Sequence, residues 1–129
     1  MHFETVIKPK FGELDVLGHI NNVAILDWLQ EARWQFYREV FDFRLQLVSV
    51  RAEIDYHAQI TIENDVTIKT WVESIGNSSI KFSHQVLQSD QLCSSSLATM
   101  VLYDSQEQCS ANIDDETRTK LKRFMPNIK

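Results

Sequence analysis

The chain has 129 residues, of which 43% are hydrophobic and 24% charged, with a formal net charge of −5 at pH 7. This composition excludes a disordered chain and predicts a single globular domain over residues 1–129 that buries roughly two thirds of its unfolded surface. Residues 1–116 carry 8 basic and 18 acidic side chains, and this acidic excess argues against a nucleic-acid partner.

Hydropathy and cysteine content indicate where the protein works. No apolar run approaches the length of a membrane span, and the first residues lack the hydrophobic core of a signal peptide. The two cysteines, Cys93 and Cys109, suit a reducing compartment and show no metal-ligand spacing. We therefore expect a cytoplasmic protein with no membrane partner and no metal.

The first predicted elements are a strand and a long apolar helix. Phe3, Thr5 and Ile7 alternate as in a strand, and Pro9 marks a strand end or an edge position. A helix is predicted from Val23 to about Val40, with Asn21 or Asn22 as its N-cap. Its apolar stripe follows the spacing of one helix face and consists of Ile25, Trp28, Leu29, Ala32, Phe36 and Val40.

Four strand-like stretches follow the helix, over residues 54–60, 66–72, 80–86 and 96–103. Turn residues separate them at 63–65, 76–77 and 89–91. The acids at 114–116 open a short terminal helix that is predicted to contain Leu121 and Phe124. The order of elements predicts an α+β fold, in which an antiparallel sheet of about five strands wraps around the long helix. The edges and outer face of such a sheet need burial, which favours pairing of subunits.

The stretch from Asp15 to Asn22 is the strongest candidate for a site. A carboxylate beside the N–H groups of a helix start can act on a carbonyl, because the helix dipole polarises the oxygen. Asp and Asn are also ordinary capping and turn residues, and a lone His is more often structural. On spacing alone, the capping interpretation is favoured.

The residues of this stretch resemble a known family. Asp15-x-x-Gly18-His19-x-Asn21-Asn22, followed by Glu31-Ala32-Arg33, is similar to the hot-dog thioesterases of the 4-hydroxybenzoyl-CoA thioesterase type. The similarity continues through residues 54–56, 66–68 and 75–79. It implies a hot-dog subunit that works as a homodimer or a dimer of dimers, with sites where two subunits meet.

The resemblance also implies roles for individual residues in the hydrolysis of an acyl-CoA thioester. Asp15 would be the general base for water or the nucleophile that forms a mixed anhydride. His19 would orient the loop or bind the carbonyl, and Gly18 would keep the approach open. Backbone N–H groups would polarise the carbonyl near Asn21, Asn22 and Val23. No cofactor is implied, since coenzyme A is part of the substrate.

Substrate-binding residues are less clearly marked. Ile25 stands where these thioesterases commonly have an aromatic residue, which bears on the acyl pocket. Ser78 and Ser79 would reach the site from the partner subunit, although serines after a glycine are usually turn residues. Lys81 or Arg51 could meet the phosphates of coenzyme A.

The remaining interpretations concern two histidines and the activity itself. His57 could approach the site or lie on a solvated strand face, whereas His84 is expected to be a hydrogen-bonded core residue. Two alternative functions stay open: a hydratase or dehydratase acting on a β-hydroxyacyl thioester, and a non-catalytic protein that binds acyl thioesters.

Overall fold

The computed structural model describes residues 1–126, and its main feature is an antiparallel sheet with one long helix packed against it. The elements in chain order are β1 (Phe3–Ile7), a 3-10 turn (Phe11–Glu13), α1 (Asn22–Phe41), β2 (Leu47–Tyr56), β3 (Val66–Ile75), β4 (Ser79–Gln88), β5 (Gln91–Asp104), β6 (Cys109–Ser110) and α2 (Asp115–Lys122). The sheet order is β1-β3-β4-β5-β2, and the short β6 pairs with β5. The predicted α+β hot-dog plan is confirmed.

Helix α1 begins and ends at residues suited to those positions. The Asn21 side chain accepts a hydrogen bond of 2.8 Å from the backbone N–H of Ala24, which confirms it as the N-cap. Asp42 ends the helix in the left-handed conformation, with φ of 51°. The helix buries one face against the sheet, and the buried apolar residues are Ala24, Ile25, Trp28, Leu29, Ala32, Phe36, Tyr37 and Phe41.

The core divides into two halves along α1. Near the start of the helix, Ile25 and Leu29 pack in one cluster with Ile60 and Ile68. Towards its end, the fully buried Phe36 is surrounded by rings at centroid distances of 4.9–6.3 Å, from Phe3, Tyr37, Phe41, Phe82 and Phe124. Most of these pairs are edge-to-face, an arrangement with a preferred geometry, and they help to fix the position of the helix on the sheet.

Several element boundaries differ from the predictions. Strands β3 and β4 are slightly longer than predicted, and β5 begins at Gln91 instead of residue 96. Strand β2 runs from Leu47 to Tyr56 instead of over residues 54–60, because the N–H groups of His57 and Ala58 both turn to the carbonyl of Cys93. Its first half was missed because a bulge between Ser49 and Arg51 interrupts the alternation. Helix α2 ends before Phe124, which was predicted to lie within it and is buried.

The two edges of the sheet are unequal. Strand β1 has five residues, whereas β2 has ten and is exposed along most of its length. Val48 and Val50 are 42% and 59% exposed there. A long, unpaired and partly apolar edge is the surface on which another strand can add. No helix within residues 1–126 is both long and apolar enough to cross a membrane.

Candidate active site

The loop that carries Asp15 is closed by its own hydrogen bonds. The Oδ1 atom of Asp15 accepts from the backbone N–H groups of Leu17 and His19, at 2.8 and 3.0 Å. The backbone N–H of Asp15 donates to the carbonyl of His19 at 2.7 Å, and that of Gly18 donates to the carbonyl of Asp15 at 3.1 Å. Gly18 has φ of 81°, a conformation that residues with a Cβ adopt at a cost, so the tight turn explains its presence.

The second carboxylate oxygen of Asp15 is available to a ligand. The hydrogen bonds of this side chain within the described residues all use Oδ1, and the residue is exposed. One oxygen therefore fixes the loop, while the other makes no hydrogen bond within the described residues. The carboxylate thus closes a turn, as the capping interpretation predicts, and keeps one oxygen free, which the catalytic interpretation requires.

Glu13 anchors this loop to the helix, a role that the sequence did not reveal. Its carboxylate accepts from the indole N–H of Trp28 and from the backbone N–H of Lys10, both at 2.8 Å. Its carbonyl accepts from the backbone N–H of Asn21 at 2.9 Å. Trp28 lies on the buried stripe of α1, and a buried indole N–H needs an acceptor. The need of the Trp28 indole for an acceptor was the one indication in the sequence that a residue such as Glu13 would contact it.

The start of α1 presents two free amide groups. Asn21 is already engaged, since its side chain caps Ala24 and its backbone N–H donates to Glu13. The backbone N–H groups of Asn22 and Val23 have no acceptor among residues 1–126. They stand at the positive end of the helix dipole, where a developing negative charge is stabilised. Of the three positions inferred for carbonyl binding, the structure leaves Asn22 and Val23 available.

A cavity of about 350 Å³ opens beside the helix start. Ile25 is buried and forms part of its wall. Asp15 is not part of this wall. The lining residues are Ile20, Asn22, Ile25, Tyr56, His57, Ala58, Gln59 and Ile60.

The two histidines near this cavity differ in their surroundings. The side chain of His19 is half-buried, and its Nδ1 atom is buried without a hydrogen-bond partner within residues 1–126. His57 is exposed, and its Nε2 atom lies 2.8 Å from the hydroxyl of Ser95. Neither ring makes a hydrogen bond to the Asp15 carboxylate within the described residues.

Ser78, Ser79 and Lys81 lie at the opposite end of the sheet from the loop. The loop joins the sheet where the N–H of Ile20 donates to the carbonyl of Ile60, which packs beside Val86. Along β4, Ser79 is seven residues from Val86, or roughly 23 Å. Lys81 lines a different cavity, together with Arg51 and Glu53. Within one chain these residues do not reach Asp15, so a role for them requires a second copy.

A buried polar network lies beneath the middle of α1. Arg33 donates to Nε2 of His84 at 3.1 Å, so the proton of the neutral ring is on Nδ1, which donates to the Thr70 hydroxyl at 3.0 Å. Burial, with the nearby guanidinium, lowers the pKa of His84 from 6.5 to about 3. The expectation that His84 is a hydrogen-bonded core residue is confirmed. No cluster of three or more metal-ligating side chains occurs in the described part of the chain.

Comparisons with known proteins agree with this architecture. Residues 9–121 match the family model described as the thioesterase-like superfamily. The long-chain acyl-CoA thioesterase FadM of Escherichia coli is 28% identical over 130 residues, covering 95% of this chain and 98% of that protein.

Two solved structures are similar over most of the chain. A predicted thioesterase from Bacillus stearothermophilus is 28% identical, with a TM-score of 0.92 and full coverage of both chains. A thioesterase from Thermus thermophilus, solved in complex with coenzyme A and zinc, is 23% identical, with a TM-score of 0.86 over 94% of this chain and 92% of that one. The fold is thus that of the hot-dog thioesterases, and the chain belongs to the thioesterase-like superfamily.

Proposed function

We propose that the protein hydrolyses acyl-CoA thioesters to a free carboxylic acid and coenzyme A, with Asp15 as the reacting carboxylate. The observation that carries the proposal is the junction between loop and helix. There Asp15 has one oxygen free, and the adjacent helix start has two amide groups without acceptors among the described residues. The acyl-CoA thioesterase activity in the name of the relative FadM supports the choice of substrate.

The free oxygen of Asp15 can act in two ways. As a general base it takes a proton from water, whose oxygen attacks the thioester carbon, and the C–S bond breaks as the proton passes to the leaving thiolate. As a nucleophile it attacks the carbon itself, expels the thiolate and forms a mixed anhydride, which water then hydrolyses. In both routes the hydrogen bonds that Oδ1 accepts from Leu17 and His19 hold the carboxylate, and with it the reacting oxygen, in place.

The amides of Asn22 and Val23 stabilise the oxyanion in either route. Negative charge develops on the carbonyl oxygen as the carbon becomes tetrahedral, and N–H groups already oriented towards that point favour the transition state over the substrate. Removing one such donor in other enzymes slows turnover by about 100- to 1000-fold. The open cavity at Ile25 would bind the part of the acyl group nearest the thioester.

We also propose that the working form is a homodimer joined along β2. The Asp15 loop and its cavity are open in a single chain, and the exposed β2 edge offers backbone groups for pairing. A second copy on this edge encloses the site and can supply Ser78, Ser79 and Lys81, which one chain cannot bring to Asp15. Two such dimers could pack through the outer faces of their sheets.

The test of this function is release of free thiol from a panel of short, long and aromatic acyl-CoA substrates. We expect thiol release that saturates with at least one substrate class. Loss of the double bond of an enoyl-CoA without thiol release would favour the hydratase alternative. Saturable binding of acyl-CoA without any thiol release would favour the non-catalytic alternative.

A further inference from the structure

A second cavity, separate from the one at the helix start, lies between the middle of α1 and β2. Its volume is about 230 Å³, below the roughly 300–1,000 Å³ of pockets that hold drug-sized ligands. Four of its lining residues come from one face of α1, two from β2 and one from β5. They are Gln30, Arg33, Trp34, Tyr37, Leu47, Ser49 and Met100.

Arg33 brings an uncompensated positive charge to this cavity. Its residue surface is only 9% exposed, and it forms no salt bridge within residues 1–126. It donates to the neutral ring of His84, and its other polar neighbour is the Tyr37 hydroxyl, so neither partner brings a negative charge. Buried charges in proteins are normally paired, and a guanidinium has five N–H donors, so several remain for a further acceptor.

Tyr37 adds a second unused donor one helical turn further on. It is 7% exposed, and its buried hydroxyl has the Arg33 guanidinium as a polar neighbour, which has no lone pair to accept the hydroxyl proton. Burial raises the pKa of Tyr37 to about 12, against the opposing effect of the Arg33 guanidinium. The hydroxyl therefore keeps its proton at neutral pH and can donate it to an anion.

A second copy docked along β2 would not bring an acid of that strand to the cavity. Leu47 and Ser49 face the cavity, and Ile54 packs into the core on the same side of the sheet. Arg51 and Glu53 form a salt bridge with each other and line a cavity with Lys81 on a different part of the surface. By strand alternation Asp55 lies on the same side as Glu53.

We propose that this cavity is a binding site for a carboxylate at the end of an alkyl chain, held by the Arg33 guanidinium and the Tyr37 hydroxyl. The planar guanidinium matches the two oxygens of a carboxylate, and its single charge is sufficient to neutralise one. The walls formed by Trp34, Leu47 and Met100 suit the neighbouring methylene groups. A phosphate of charge near −2 would call for more cations than the cavity contains.

The carboxylate could belong to a free fatty acid or to the far end of a dicarboxylic acyl thioester. Binding of a free acid is measured without turnover, so the inference does not depend on the proposed hydrolysis. It is tested by calorimetric titration of octanoate and of 1-octanol, which share a chain but differ in charge. We expect the wild-type protein to bind octanoate at least about tenfold more tightly than octanol, as charge-assisted hydrogen bonds allow.

Variants assign the binding to the cavity. Tyr37→Phe keeps the ring and should weaken octanoate binding about threefold to tenfold, with octanol unchanged. Arg33→Gln should abolish the preference for octanoate, whereas Arg38→Gln, which removes an exposed cation of the same helix, should leave it intact. Asp15→Asn should also bind octanoate normally, which separates this site from the catalytic loop.

A kinetic comparison distinguishes the two sources of the carboxylate. If the dicarboxylic thioester is the source, octanedioyl-CoA should have a lower KM than octanoyl-CoA, and Tyr37→Phe should remove the difference. If the free acid is the source, octanoate should inhibit the wild type more strongly than Tyr37→Phe. Equal binding of octanoate and octanol to the wild type, or unchanged octanoate binding in Tyr37→Phe, would overturn the proposal.

Discussion

His84 shows how a single buried residue makes the stability of this protein depend on pH. Arg33 and Thr70 satisfy both ring nitrogens of its neutral form, and Arg33 repels the charged form. The sequence predicted a core histidine because His84 lies on the same face of the strand as Ile80, Phe82 and Val86. Its partners come from α1 and β3, and no local pattern could identify them.

We predict that the free energy of unfolding decreases as the pH falls below 6.5. The unfolded histidine takes up a proton near pH 6.5, whereas the folded one resists protonation until about pH 3. Between these values the unfolded state binds more protons, so acid favours unfolding by up to about 1.4 kcal/mol per pH unit from this residue. Urea unfolding from pH 7 to pH 4.5 measures the slope.

Two variants isolate the contribution of this ring. His84→Gln should be less stable at pH 7 but should have a shallower pH dependence, by about one proton. His2→Gln, at an exposed position, should retain the wild-type slope. An unchanged slope in His84→Gln would assign the pH dependence to other groups.

At the scale of elements, the parts with regular patterns were predictable and the irregular ones were not. The apolar stripe and the Asn pair located α1 and its cap within one residue. Strand β2 was misplaced because it is an edge strand with a bulge, so neither burial nor alternation marks its first half. The anchoring of the loop through Glu13 and Trp28 depends on side chains 15 residues apart and became visible only in the structure.

Asn21→Ala should destabilise the protein by about 1 kcal/mol, because the N–H of Ala24 loses its cap at the start of α1. Asn22→Ala is the matched control. Asn22 is exposed and its side chain makes no hydrogen bond within the described residues, so its replacement should be close to neutral. Thermal unfolding of both variants provides the comparison, and equal losses would show that the cap is not what stabilises this junction.

At the scale of the whole molecule, the sequence led to the family and to the loop, whereas the arrangement of the site across two subunits stays a prediction. The sequence analysis expected Ser78 and Ser79 to reach the site from the partner subunit, and Lys81 to meet the phosphates of coenzyme A. The structure shows that a single chain keeps these residues roughly 17–26 Å along β4 from Val86, which lies near the end that carries the loop. The long exposed edge at β2 is the feature that makes a shared site physically reasonable.

We predict that the 15.1 kDa chain forms a dimer through β2. Val50→Lys places a charge on this edge and should shift the protein towards monomers in sedimentation equilibrium, with loss of thioester hydrolysis. Val6→Lys, at an equally exposed valine of the other edge strand β1, should leave the dimer intact. Dissociation of Val6→Lys but not of Val50→Lys would place the interface at β1. A fully active wild-type monomer would exclude a shared site.

The most direct measurement for the central claim is the kcat of Asp15→Asn in the thiol-release assay. The asparagine keeps an Oδ1 acceptor for the N–H groups of Leu17 and His19, so the loop and the thermal unfolding should be preserved. Because it removes the base or nucleophile, we expect kcat to fall by about 100- to 10,000-fold. Asp90→Asn, in the exposed turn between β4 and β5, should retain wild-type turnover. Near-wild-type thiol release by the folded Asp15→Asn protein would contradict the account.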